Sequence, residues 1–107
     1  MIIKHQPEDG KRFVSYEIEG NVISFNDEEL TIKLSKKERD EPVRLYVGED
    51  ETGGLVTSTK GGRWYVAEIL IPARQYAEAE GDEGQTTMEP VPFNIDRCEL
   101  ILWEMED

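Results

Sequence analysis

The sequence predicts an all-β protein: an antiparallel sandwich or small barrel of about seven or eight short strands. Three observations carry that reading. Short runs alternate apolar with polar residues and are rich in β-branched and aromatic side chains. Turn signals built from glycine, asparagine and acidic residues interrupt these runs at close spacing. Two successive loops, read independently, place the apolar residues of three consecutive strands on one face. A single β domain is expected over residues 1–107.

The first three strands are expected to form an N-terminal meander. Residues 12–19 (RFVSYEIE) run into Gly20-Asn21, a two-residue hairpin signal, and residues 22–25 (VISF) follow. That loop sets Ile18 opposite Ile23 and Tyr16 opposite Phe25, so Val14, Tyr16 and Ile18 share their face. A four-residue loop at 26–29 then sets Phe25 opposite Leu30 and Ile23 opposite Ile32. The third strand, 30–35, alternates Leu30, Ile32 and Leu34 with polar residues.

Residues 35–42 (SKKERDEP) read as a solvated turn ending in proline. Residues 43–47 (VRLYV) alternate, with Val43, Leu45 and Val47 inward, and residues 48–54 (GEDETGG) form a loop. Gly61-Gly62 reads as a tight turn joining 55–59 to 63–71. That turn pairs Thr59 with Trp64 and Ser58 with Tyr65, and sets Val56 across from Ala67. Residues 64–71 (WYVAEILI) are apolar on both faces except at Glu68, as in a central or doubly covered strand.

Residues 72–80 (PARQYAEAE) fit a short helix after Pro72. Proline suits the first helical position, Gly81 the stop, and alanine and glutamate the interior. At about nine residues such a helix is marginal without packing. Residues 77–92 read as an acidic, irregular surface segment. The last strand, 97–105 (RCELILWEM), alternates Cys98, Leu100 and Leu102 with Glu99, Ile101 and Trp103, so it too is apolar on both faces.

Composition limits function. The chain has 107 residues, with 24 acidic against 12 basic and a net charge of -12. Binding nucleic acid depends on a surplus of Lys and Arg, so that partner is not expected. No run of about 18 apolar residues exists, and no membrane partner is expected. The first ten residues lack an apolar core with a small-residue cleavage site, so no secretory signal is read there. One cysteine builds neither a disulfide framework nor a Cys-rich zinc site. A cytoplasmic protein is the expectation.

The inventory for catalysis is thin, and no enzyme, catalytic residue or cofactor is expected. His5 is the sole histidine; it follows Met1-Ile2-Ile3 and reads as a surface residue at a strand end. Cys98 is the sole cysteine and reads as a small buried hydrophobe. Glu68 reads either as a buried acid of shifted pKa or, more plainly, as a rim residue or salt-bridge partner. The glycine pairs lack phosphate-loop spacing. Two acidic loops, with Asp50 and Glu51 in one and Asp82 and Glu83 in the other, are weak calcium candidates. Neither follows the EF-hand order.

The aromatic strands are more informative. The core face of 64–71 is expected to be Tyr65, Ala67, Ile69 and Ile71, with Trp64, Val66 and Leu70 on the second face. The last strand adds Ile101, Trp103 and Met105 to a second face. If the two strands lie together, Trp64, Val66, Leu70, Ile101 and Trp103 form an apolar patch with aromatic anchors, of the kind found at protein interfaces. The competing reading is that a sandwich, or the 72–92 segment, buries them. The expected role is therefore a non-enzymatic protein–protein interaction or assembly module, with a protein partner or a second copy. The alternative is a small ligand-binding β-domain, for a carbohydrate or calcium.

Overall fold

The structure is a computed structural model, and it describes residues 1–49, 54–58, 65–81 and 84–105. Among the described residues run ten strands: β1 (Ile2–Gln6), β2 (Tyr16–Glu19), β3 (Val22–Phe25), β4 (Leu30–Lys33), β5 (Val43–Glu49), β6 (Leu55–Ser58), β7 (Tyr65–Ile71), β8 (Tyr76–Glu80), β9 (Thr86–Pro90) and β10 (Glu99–Trp103). Short 3-10 turns occur at Leu34–Lys36 and Ile95–Arg97. The protein is all-β. Its strands make a five-stranded sheet in the order β1-β10-β7-β5-β6, a three-stranded sheet β2-β3-β4 and a two-stranded sheet β8-β9. The first is mixed, because β1 runs parallel to β10; its other pairs are antiparallel.

The N-terminal meander is present in the register that the loops dictate. Ile18 faces Ile23 and Tyr16 faces Phe25; Phe25 faces Leu30 and Ile23 faces Ile32. At the first loop Gly20 takes a φ of 60°, as the first position of a type II′ turn requires. Ile23, Phe25, Ile32 and Leu34 enter one buried cluster with Leu45, Val47, Ala67, Ile69, Ile71, Leu100 and Leu102 from the five-stranded sheet. Two sheets thus share one core. Residue Ile18 lies on the same face but at the sheet margin, 39 % exposed.

The second loop is strained. Asn26, Asp27 and Glu28 have φ of 52°, 54° and 68°. Asparagine and aspartate tolerate the left-handed region, but Glu28 gains nothing from it. The loop is held by Asn26 N–H donating to Ser15 O at 2.9 Å and Asn26 Nδ2 donating to Glu29 Oε2 at 2.9 Å. Replacing Glu28 with glycine is expected to stabilise the fold by about 0.5–1 kcal/mol, the relief of strain less the entropy glycine adds to the unfolded chain. Urea denaturation of Glu28→Gly against the parent reads this directly, and a loss of stability would refute it.

Strand β7 is central, as its two apolar faces require. Its neighbours are β10, with Leu100 opposite Ile69, and β5, with Leu45 opposite Ile69. This corrects the expected hairpin between 55–59 and 63–71. Both edges of β7 are taken, so β6 pairs with β5 instead: Ser58 faces Tyr46 and Val56 faces Gly48. The expected pairs Ser58–Tyr65 and Val56–Ala67 do not form. The Thr59–Trp64 pair and the Gly61-Gly62 turn lie outside the described residues.

The expected helix after Pro72 is also corrected. Residues 76–80 form β8, paired with β9 from Glu80 opposite Thr86 to Tyr76 opposite Pro90. The 77–92 segment is therefore largely a β-hairpin rather than irregular. Helix propensity is a weak prior, and a nine-residue helix with no packed face yields to a strand with a partner. The hairpin is exposed along nearly its whole length, with Met88 59 % exposed. Its base is anchored by Arg74. The backbone N–H of that residue donates to Arg39 O at 2.8 Å. Its guanidinium lies 3.4 Å from Glu38 Oε1 and 3.2 Å from Asp40 Oδ1. The Tyr76 hydroxyl also donates to Asp40. The hydrogen bond with Tyr76, followed by the charge of Asp40, raises the Arg74 pKa above its ordinary value. The chain as a whole is elongated, 64 × 27 × 23 Å, with a radius of gyration of 16.8 Å, above the roughly 13 Å of a compact chain of about this size.

Candidate interaction face

Side chains alternate across a strand, so the five-stranded sheet has two faces. One supplies the core. The register defines the other as rows of neighbours. Ile2, Glu99, Leu70 and Arg44 form the first row, and Lys4, Ile101, Glu68 and Tyr46 the second. A third row holds Gln6 and Trp103. Among the described residues, Leu70, Ile101 and Trp103 do not pack on the buried cluster; all three are half-buried.

A β-bulge rearranges the third row. The β5–β7 register shifts between Val47 and Gly48, so that Val47 faces Ala67 but Gly48 faces Tyr65. Val66 is the extra residue, and a bulge changes which side the following residue presents. Val66 is accordingly buried in the core cluster, where strict alternation put it on the second face. Tyr65 moves the other way. Its ring lies 5.4 Å from Tyr46 at 63° and 5.4 Å from Trp103 at 88°. The three rings form an edge-to-face chain, an arrangement favoured by aromatic quadrupoles. Tyr65 is thus absent from the patch that alternation predicts, while Tyr46 alternates outward and joins the patch through the β5–β7 pairing. A break in alternation at a bulge leaves no local signal beyond the Gly48 on the partner strand.

Glu68 sits at the centre of this face, 6 % exposed. Both carboxylate oxygens are engaged. Trp103 Nε1 donates to Oε1 at 3.0 Å, and Arg44 Nη1 lies 3.7 Å from Oε2. The salt-bridge reading of Glu68 is the one observed. The carboxylate fixes the Trp103 indole in one orientation, and the Tyr65 ring braces it. The Arg44 pKa is raised, first by a hydrogen bond with the Tyr46 side chain and then by the charges of Tyr46 and Glu68. Exposed Ile2 and Val56 flank the face at its two outer strands.

The remaining candidates fall elsewhere. Trp64 and the acidic residues Asp50, Glu51, Asp82 and Glu83 lie outside the described residues. Among the described residues no group of three or more His, Cys, Asp or Glu side chains could hold a metal ion, and no helix is long and apolar enough to cross a membrane. Cys98 is fully buried and free. Burial pushes its thiol pKa up, which keeps it in the unreactive protonated form. His5 is exposed on β1, with its ring 4.7 Å from Phe13. Comparison with known proteins found no matching family, curated protein or solved structure.

Proposed function

We propose that the protein is a non-enzymatic interaction or assembly module that docks through the second face of its five-stranded sheet. One observation carries this reading: Tyr46, Tyr65 and Trp103 form a braced aromatic chain, half-buried, on a sheet whose opposite face already fills the core. Aromatic side chains are typical anchors of interfaces. Anchors held in place before docking lose little conformational freedom on binding. The acidic surface repels phosphate and anionic lipid and favours a basic protein surface or a locally complementary copy. The rings meet edge to face and do not make one flat platform for a sugar ring, which favours protein docking over the carbohydrate alternative.

The solution mass tests the proposal. Size-exclusion chromatography with light scattering, over a wide range of protein concentration, is expected to show a species above the 12.3 kDa monomer. Trp103→Ala, checked for folding by circular dichroism, is expected to weaken association at least tenfold, as loss of about 1.4 kcal/mol does. A mass fixed at the monomer removes self-assembly and leaves the basic partner, which an array of basic peptides addresses. Failure of both sinks the proposal.

A further inference from the structure

A notch opens at one end of the five-stranded sheet, and two prolines account for it. Pro42 immediately precedes β5 and Pro72 immediately follows β7. Proline has no N–H to give to a ladder. The β5–β7 ladder therefore ends on both strands at one level, the Val43–Ile71 pair. Beyond it lies a pocket of about 390 Å³, within the ~300–1,000 Å³ usual for small-ligand sites. Its lining is apolar at the prolines and Leu70 and charged at Arg44, Arg97 and Glu99.

The charges of this lining do not cancel. Glu99 is matched by Lys4, 3.4 Å away. Arg44 is matched by Glu68 at 3.7 Å. The neighbouring carboxylate of Asp96 is directed to the N-terminal ammonium, 3.4 Å away. Arg97 makes no ion pair with a described residue. Among the described residues one guanidinium is thus left unmatched beside an apolar pocket, on a protein whose net charge is -12. A guanidinium presents a planar fork of donors that fits a carboxylate in two parallel hydrogen bonds.

We infer that this notch binds a small amphipathic carboxylate, with its apolar body on Leu70 and the two prolines and its head on Arg97. A multiply charged anion fits less well, because Glu99 shares the lining and, among the described residues of the notch, one positive charge is unmatched. The notch shares Arg44, Leu70 and Glu99 with the first row of the docking face, but the inference does not require docking there: a protein that proves monomeric still carries the notch.

The test is a titration of the full chain, at constant ionic strength, with sodium hexanoate. Methyl resonances of Val43, Leu70 and Ile71 are followed by NMR, with hexanol and hexylammonium as controls. Saturable shifts at these methyls are expected with hexanoate, with at least tenfold weaker binding for hexanol and none for hexylammonium. Arg97→Gln is expected to weaken hexanoate binding about tenfold or more, and Arg97→Lys, which keeps the charge but loses the fork, to weaken it less. Equal binding of hexanol, equal effects of the two variants, or no shift at these methyls would overturn the inference.

Discussion

Phe25→Ala is expected to lose roughly 3–5 kcal/mol of stability, the usual range for truncating a fully buried phenylalanine. Phe25 has no exposed surface and sits in the middle strand of the meander, between Tyr16 and Leu30. A domain of this size has only about 5–15 kcal/mol in total, so the variant should be close to unfolding at room temperature. Ile18→Ala provides the control. It lies on the same face but is partly exposed, and should cost under about 1 kcal/mol. Guanidinium denaturation of both variants measures the contrast. Similar losses for the two would mean that the meander does not pack on the five-stranded sheet as described.

That contrast also marks what the sequence makes legible. The meander is readable because three local facts agree: the Gly20-Asn21 loop, the 26–29 loop and strict alternation on each strand. A slip by one residue would turn Ile23, Phe25 and Ile32 outward, so no competing register exists. The same alternation placed Val43, Leu45 and Val47 inward, and they are buried or half-buried there.

Legibility ends where pairing is set by distant partners. The parallel match of Ile3 with Leu100 joins the two ends of the chain, and nothing in either segment names the other. The glycine pair at 61–62 signals a local hairpin, yet β7 already has β5 and β10 on its edges. Residues 72–80 carry helix-forming side chains; what decides their form is β9, a strand with little apolar content of its own. The candidate face is half legible for a related reason. Leu70, Ile101 and Trp103 follow from alternation. Tyr46 alternates outward as well, but nothing local sets β5 beside β7; Tyr65 does not follow, because the bulge at Val66 exchanges the sides of two successive residues. The notch, by contrast, leaves a signal: a proline just before one strand and just after its partner.

Glu68→Ala is expected to cost about 2–4 kcal/mol, more than a small rim residue would. Removing the carboxylate deprives the Trp103 indole N–H of its acceptor inside a half-buried ring stack, a penalty of about 1–3 kcal/mol, and takes away packed methylenes in the central strand. Arg44 adds little, since its side chain is 55 % exposed and water replaces its partner. Glu68→Gln keeps an acceptor for Trp103 and loses only the charge, so it should cost under about 1 kcal/mol. Urea denaturation ranks the three proteins: parent and Gln close together, Ala well below. Equal losses for Gln and Ala would mean that the charge on Glu68, and not its hydrogen bond, holds the face together. A negligible loss for Ala would mean that the indole finds water instead. Trp103 would then be free to turn, and the aromatic chain would no longer be the pre-set anchor on which docking through this face depends.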